Sequence, residues 1–79
     1  MNAIQCRMAR AALHITIHQV AKLADIAPST ISRLEAGEEL KPRTIGAVRN
    51  VYEAQGIEFI DGEIFGLVLH PKRTPRRRR

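Results

Sequence analysis

Apolar positions along the chain keep helical spacing up to about residue 56 and then change character. Between Asn2 and about Leu13, Ile4, Met8 and Ala11 or Ala12 recur with Gln5, Arg7 and Arg10 between them, which predicts a first helix. Thr16 is followed three residues later by Gln19, the spacing of a capping box, and Ile15 with Val20 forms the matching hydrophobic staple. A second helix is therefore expected from Thr16 to Ala24, with Val20, Ala21 and Ala24 inward. It stops near Asp25, a residue type that tolerates the left-handed conformation. Pro28 suits the first position of a third helix reaching Ala36, and Gly37 can close it with a left-handed cap. After the polar loop EELKPR, Thr44 is expected to cap a fourth helix carrying Ile45, Val48, Val51 and Tyr52 on one stripe and ending at Gly56.

From Ile57 the runs IEFI and EIFGLVL are strand-like and flank Asp61-Gly62, a dipeptide suited to a tight hairpin turn. A two-stranded hairpin is marginal alone and leaves unpaired edges. One reading makes it a dimerisation element through Ile57, Phe59, Ile64, Phe65, Leu67 and Leu69; the other folds it back over the helices as a small extension. The chain thus divides into a helical unit at 1–56, a hairpin at 57–70 and a flexible basic tail at 71–79.

Charge refines this division. The net charge of +5 suggests nucleic acid, yet Lys72, Arg73 and Arg76 to Arg79 supply six of the thirteen basic residues. Residues 1–70 hold seven basic against eight acidic side chains, a net of −1, so phosphate-seeking charge is concentrated in the tail. No apolar stretch approaches the length of a membrane span and the N-terminus lacks the layout of a secretory signal, so a cytoplasmic protein without membrane contact is expected. A chain of 79 residues buries a thin core, which makes a partner subunit useful for stability.

Catalytic and metal chemistry find no support in the residue pattern. The single Cys6 has no second thiol for a disulfide or a metal site and reads as a partly buried helix residue. His14 and His18 are four apart, but a helix starts between them at Thr16, so they share no helical face; His70 is remote. Neither a phosphate-cradling glycine loop nor a Ser/His/Asp grouping occurs, and Glu38-Glu39 reads as solvated loop charge. No enzyme activity, cofactor, metal or small-molecule ligand is expected.

The third helix is the informative element. With about 100° per residue, Ile31 and Leu34 define an inward face, and Ser29, Ser32, Arg33 and Ala36 fall opposite. That outward face is short-chained, polar and free of acids, so a helix backbone can approach another surface closely while one Arg projects from it.

TIHQVAKLADIAPSTISRLEAG resembles the helix-turn-helix of the Cro/CI-type (XRE) repressor family. Ala21 stands at the pattern's small position, Ile26 at its turn hydrophobe, and Ile31 and Leu34 at its two core positions in the recognition helix. The resemblance runs from about Ile4 to Asp61. It implies a mainly α fold, a λ-repressor-like bundle of four or five helices here followed by a β-hairpin and a disordered basic tail. It also implies double-stranded DNA as partner, with the third helix in the major groove and the second across the backbone. Arg33 then becomes the candidate for a bidentate guanine contact, with Pro28, Ser29, Thr30 and Ser32 beside it on base edges, thymine methyls or nearby phosphates. Backbone contacts fall to Ile17 and His18 at the start of the second helix and to Lys41 and Arg43 in the loop after the third. An ion pair between Arg10 and Glu35 is implied too, with Arg7 as competitor for Glu35 and with Arg10 held towards the DNA backbone.

Departures from the pattern are specific. Ile17 stands where Gln is frequent and cannot lend a side-chain donor to phosphate; Ala27 replaces the usual Ser or Thr cap, leaving Ser29 as an alternative; Asp25 stands where the turn glycine is frequent. The function expected is that of a dimeric, autoregulatory repressor on an inverted-repeat operator of a phage or other mobile element. The rival is an antitoxin-like module whose hairpin grips a partner protein. RNA binding through the tail ranks below both, because Tyr52, Phe59 and Phe65 all sit in core-like patterns and leave no stacking platform.

Overall fold

The computed structural model describes residues 1–60 and 66–70. Four helices, α1 (Ala3–Leu13), α2 (Ile17–Ala24), α3 (Pro28–Glu35) and α4 (Pro42–Ala54), precede an antiparallel pair, β1 (Ile57–Ile60) and β2 (Gly66–Leu69). Each helix begins where the local chemistry supplies a start. Asn2 caps α1 by accepting from the Gln5 N–H at 2.8 Å while Gln5 Oε1 accepts from the Asn2 N–H at 2.9 Å. Thr16 and Gln19 make the same reciprocal arrangement at α2. At α3 and α4 a proline occupies the first turn and replaces a side-chain cap, since its missing N–H removes one orphan donor and its fixed φ favours the helix. The helices stop at left-handed residues, His14 (φ 56°) after α1 and Asp25 (φ 58°) after α2, and α3 is closed by Gly37 (φ 90°).

All four helices converge on one core of Cys6, Ala9, Val20, Ala21, Ile31, Leu34, Val48 and Tyr52, completed by Ile57 and Phe59 from β1. Phe59 and Tyr52 meet in a T-shaped arrangement at a centroid distance of 6.3 Å, and the Arg49 guanidinium lies 5.3 Å from the Phe59 ring centroid. Aromatic and cation–π contacts of this kind add to plain area burial.

Two expectations are corrected here. The fourth helix starts three residues earlier than its Thr44 cap would place it: Lys41 is the cap, Pro42 is the first residue and Thr44 lies within the first turn, its N–H already bonded to the Lys41 carbonyl at 2.9 Å. Ile4 and Met8, whose spacing predicted α1, are exposed, and the helix turns Gln5, Cys6 and Ala9 to the core. Small Cys6 and Ala9 let α1 sit close against α3 and α4, where a branched Ile would be too bulky.

Ile57 and Phe59, expected in a subunit interface, are committed to the monomer's own core at 3% and 8% exposure. The pairing Ile57↔Leu69, Glu58↔Val68, Phe59↔Leu67 and Ile60↔Gly66 explains why. Strand side chains alternate, so Ile57, Phe59 and Leu67 share the side packed on the helices, with Leu69 at its exposed end, while Glu58, Ile60 and Val68 face away. The Asp61-Gly62 turn, Ile64, Phe65 and the tail 71–79 lie outside the described residues.

A buried glutamine ties the strands to α1. Gln5 is fully buried and its Nε2 donates to the carbonyls of both Ile60 and Gly66 at 2.8 Å, so every polar atom of the amide is satisfied. At the other end Gly56 (φ 100°) accepts the His70 N–H at 2.7 Å, and a side chain at Gly56 would run into the His70 carbonyl.

Candidate nucleic-acid interface

Two eight-residue helices, α2 and α3, pack on each other through a tight turn. The left-handed Asp25 allows the Ile26 N–H to bond back to the Ala21 carbonyl at 2.9 Å, and Ile26 packs against the core beneath the turn. Ala27 then takes an extended conformation (φ −63°, ψ 140°) and Pro28 opens α3, with the Thr30 N–H on the Ala27 carbonyl at 2.9 Å. Ala27 offers no side-chain cap, and neither does Ser29; the proline makes the start without one.

Along α3 the two faces separate cleanly. Ile31, Leu34 and Glu35 are buried, whereas Pro28, Ser29, Ser32, Arg33 and Ala36 are exposed and Thr30 is half-buried. Ile31 and Leu34 therefore set the rotation of the helix, and the hydroxyl face with its one long cation is what α3 turns to solvent.

The carboxylate of Glu35 is buried and needs a counter-charge. Arg10 on α1 supplies it: Nε donates to Oε2 at 2.7 Å and Nη2 to Oε1 at 3.0 Å, a bidentate pair. The hydrogen bond to Glu35 raises the Arg10 pKa further above its ordinary value. Arg10, and not Arg7, is thus the partner, and it links the first helix to the end of the third. Its Nη1 reaches the Ile15 carbonyl at 3.5 Å, so most of its donors are engaged within the protein. Beneath this pair, Cys6 Sγ lies 4.0 Å from Glu35 Oε2 and 3.6 Å from the Tyr52 hydroxyl. Burial pushes the Cys6 thiol up to about 11 and raises Tyr52 as well, keeping both neutral beside the carboxylate.

At the start of α2, the Thr16 hydroxyl takes the Gln19 N–H, and the N–H groups of Ile17 and His18 have no acceptor among the described residues. The Ile17 side chain is half-buried and packs on the core, so only its backbone faces outward; His18 is exposed. Past α3, Lys41 is the N-cap residue of α4 and Arg43 sits in its first turn, both exposed. Neither meets an acid among the described residues.

Arg33 is not free in the unbound chain. Its Nε and Nη2 both approach Glu38 Oε1, at 2.9 Å and 2.7 Å, and that hydrogen bond raises the Arg33 pKa and lowers that of Glu38. Reading residue types alone missed Glu38 as a neighbour. The signal was present in Gly37: a left-handed residue after α3 returns the next residue to the last turn, where Arg33 stands.

Among the described residues no helix is long and apolar enough to cross a membrane. The profile of the helix-turn-helix family matches residues 7–54, from within α1 to the end of α4. No curated protein and no solved structure gives a significant match. Four helices in this order, a tight α2–α3 turn, an outward polar face on α3 and a family match over more than half of its length together place the chain: it belongs to the XRE-type, Cro/CI-like helix-turn-helix family of DNA-binding transcription regulators.

Proposed function

We propose that the protein is a dimeric, autoregulatory repressor that reads an inverted-repeat operator, in the genetic setting of a phage or other mobile element. The observation that carries the reading is the exposed, acid-free face of α3, with Arg33 as its single long reader and Ser29, Ser32, Thr30 and Pro28 around it. In this reading α3 enters the major groove, the amides of Ile17 and His18 and the side chains of Lys41 and Arg43 hold phosphates, and Arg10 stiffens the frame through Glu35. Two protomers related by a twofold axis would set half-sites about one helical turn apart. Footprinting on the DNA upstream of the protein's own coding sequence tests it: protection of two symmetric half-sites on one face of the duplex is the expected result. Protection of no defined sequence overturns it.

Dimer contact has to come from what the monomer leaves exposed. Ile60 and Val68 face away from the helices, Leu69 ends β2, and Ile4 and Met8 lie on the outer side of α1; all are large apolar residues open to solvent. The same exposed side supports a second reading, in which the hairpin grips a partner protein in the manner of an antitoxin. Solution mass of the isolated protein separates the two, a dimer favouring the first and a monomer the second.

A further inference from the structure

The ion pair of Arg33 with Glu38 is built by the fold and not by chance meeting of surface charges. Gly37 (φ 90°) donates its N–H to the Leu34 carbonyl at 3.1 Å, and Glu38 donates its own to the Arg33 carbonyl at 3.0 Å. This pair of bonds fixes the residue after the left-handed glycine beside the third-last residue of the helix. An apolar contact often sits between those two positions; here a carboxylate faces a guanidinium instead. Glu38 takes the side edge of Arg33, using Nε and Nη2. The end edge, with Nη1 and the outer N–H of Nη2, has no acceptor among the described residues.

That division of the guanidinium matters for reading bases. Guanine O6 and N7 ask for two parallel donors, and the end edge of an arginine carries them. A long side chain on an exposed helix otherwise samples many rotamers, and ordering it on contact costs conformational entropy. We propose that Glu38 is a positioning residue for base recognition: it holds Arg33 by its side edge and presents the end edge to a guanine in the major groove. The inference rests on Arg33 as the base reader in the proposed function. An acid at this place is also repelled by phosphate, so its removal is expected to raise affinity for DNA of any sequence while blunting selectivity.

The test is selection of binding sites from a randomised duplex library, followed by affinity measurements on the selected site and on single-base variants. Arg33→Ala, Glu38→Ala and Glu39→Ala are compared with the parent; Glu39 is the neighbouring exposed acid and controls for charge alone. Circular dichroism verifies that each variant folds. The expected result is that Arg33→Ala abolishes preference for guanine at one position per half-site. Glu38→Ala then reduces preference at that same position on the order of five- to tenfold, and Glu39→Ala leaves it unchanged. A parent protein that enriches no sequence overturns the operator-binding function and this inference with it. A preference that survives Arg33→Ala overturns the assignment of Arg33. A preference lost in Arg33→Ala but kept in Glu38→Ala, or reduced equally in Glu39→Ala, overturns the positioning role of Glu38 and leaves the reading of Arg33 intact.

Discussion

The guanidinium of Arg10 in the first helix grips both carboxylate oxygens of Glu35 at the end of the third, at 2.7 Å and 3.0 Å. Glu35 is almost fully buried and Arg10 is 28% exposed, so the pair is largely shielded from water. Removing one member leaves a buried charge without its partner, which costs more than the pair itself contributes. Arg10→Met should destabilise the fold by about 2–4 kcal/mol in urea denaturation. The double variant Arg10→Met, Glu35→Met should recover a large part of that loss, because it removes both charges and keeps apolar volume. Equal destabilisation in the single and double variants would show that the pair holds nothing that packing does not.

Arg33 and Arg43 should fail differently on DNA. Arg33→Ala is expected to cost about 1–3 kcal/mol at the operator position it reads and little elsewhere. Arg43→Ala should weaken every sequence alike and reduce the slope of log affinity against log salt by about 1. Titrations at several salt concentrations, on the operator and on a scrambled duplex, check both. A reversed pattern would exchange the roles of the recognition helix and the loop.

Gln5 satisfies two strand carbonyls from inside the core. Gln5→Leu preserves volume but leaves the Ile60 and Gly66 carbonyls without that donor, an expected loss of about 2–3 kcal/mol. Amide hydrogen exchange should quicken in β1 and β2 more than in α2 or α3, because the lost bonds fasten the strands and not the helix pair. Uniform acceleration across the chain would contradict that local role.

Alkaline pH should loosen the fold through Cys6 and Tyr52. Burial raises the folded pKa of Cys6 from 9.0 to about 11 and moves Tyr52 in the same direction. Between those values the unfolded chain has already released the Cys6 proton while the folded one keeps it, so stability falls as pH rises. Its contribution is whole below pH 9 and is lost as pH passes through about 11. Melting temperature measured from pH 8 to 11 should therefore decline, and the decline should be shallower in Cys6→Ala. The buried thiol should also react slowly with a thiol reagent in the native state and quickly in urea.

Deleting residues 57–79 does not isolate an interface, since it strips Ile57 and Phe59 from the core. Substitution on the outer side of the strands does. Ile60→Lys with Val68→Lys should leave the melting temperature within a few degrees and shift the solution mass of a dimer to that of a monomer. A dimer that persists would move the contact away from this side, towards Ile4 and Met8 on α1 or elsewhere.

Local chemistry sufficed wherever an element is made by near neighbours. Thr16 with Gln19, the left-handed Asp25, Pro28 at a helix start and Gly37 after its end each act within a few residues, and the outward face of α3 follows from the spacing of Ile31 and Leu34 alone. The Asn2–Gln5 capping box has the same kind of signature at the first helix, although the apolar spacing of Ile4 and Met8 drew attention away from it. Thr44 misled because a threonine before an apolar stripe looks like a cap, whereas Pro42 two residues earlier could already begin the helix.

Other features depend on what comes from far along the chain. Periodicity in α1 could not say that small Cys6 and Ala9, and not Ile4 and Met8, face inward, because the space is shaped by α3, α4 and β2. Nor could strand propensity say that Ile57 and Phe59 fill the monomer's own core: a strand's alternation defines two sides, and only the neighbouring α4 surface selects between them. The partners of Glu35 and Arg33 divide along the same line. Glu38 reaches Arg33 across one left-handed turn, a local device written in Gly37. Glu35 meets Arg10 across 25 residues because a buried carboxylate has to find its counter-charge wherever the packed helices bring one.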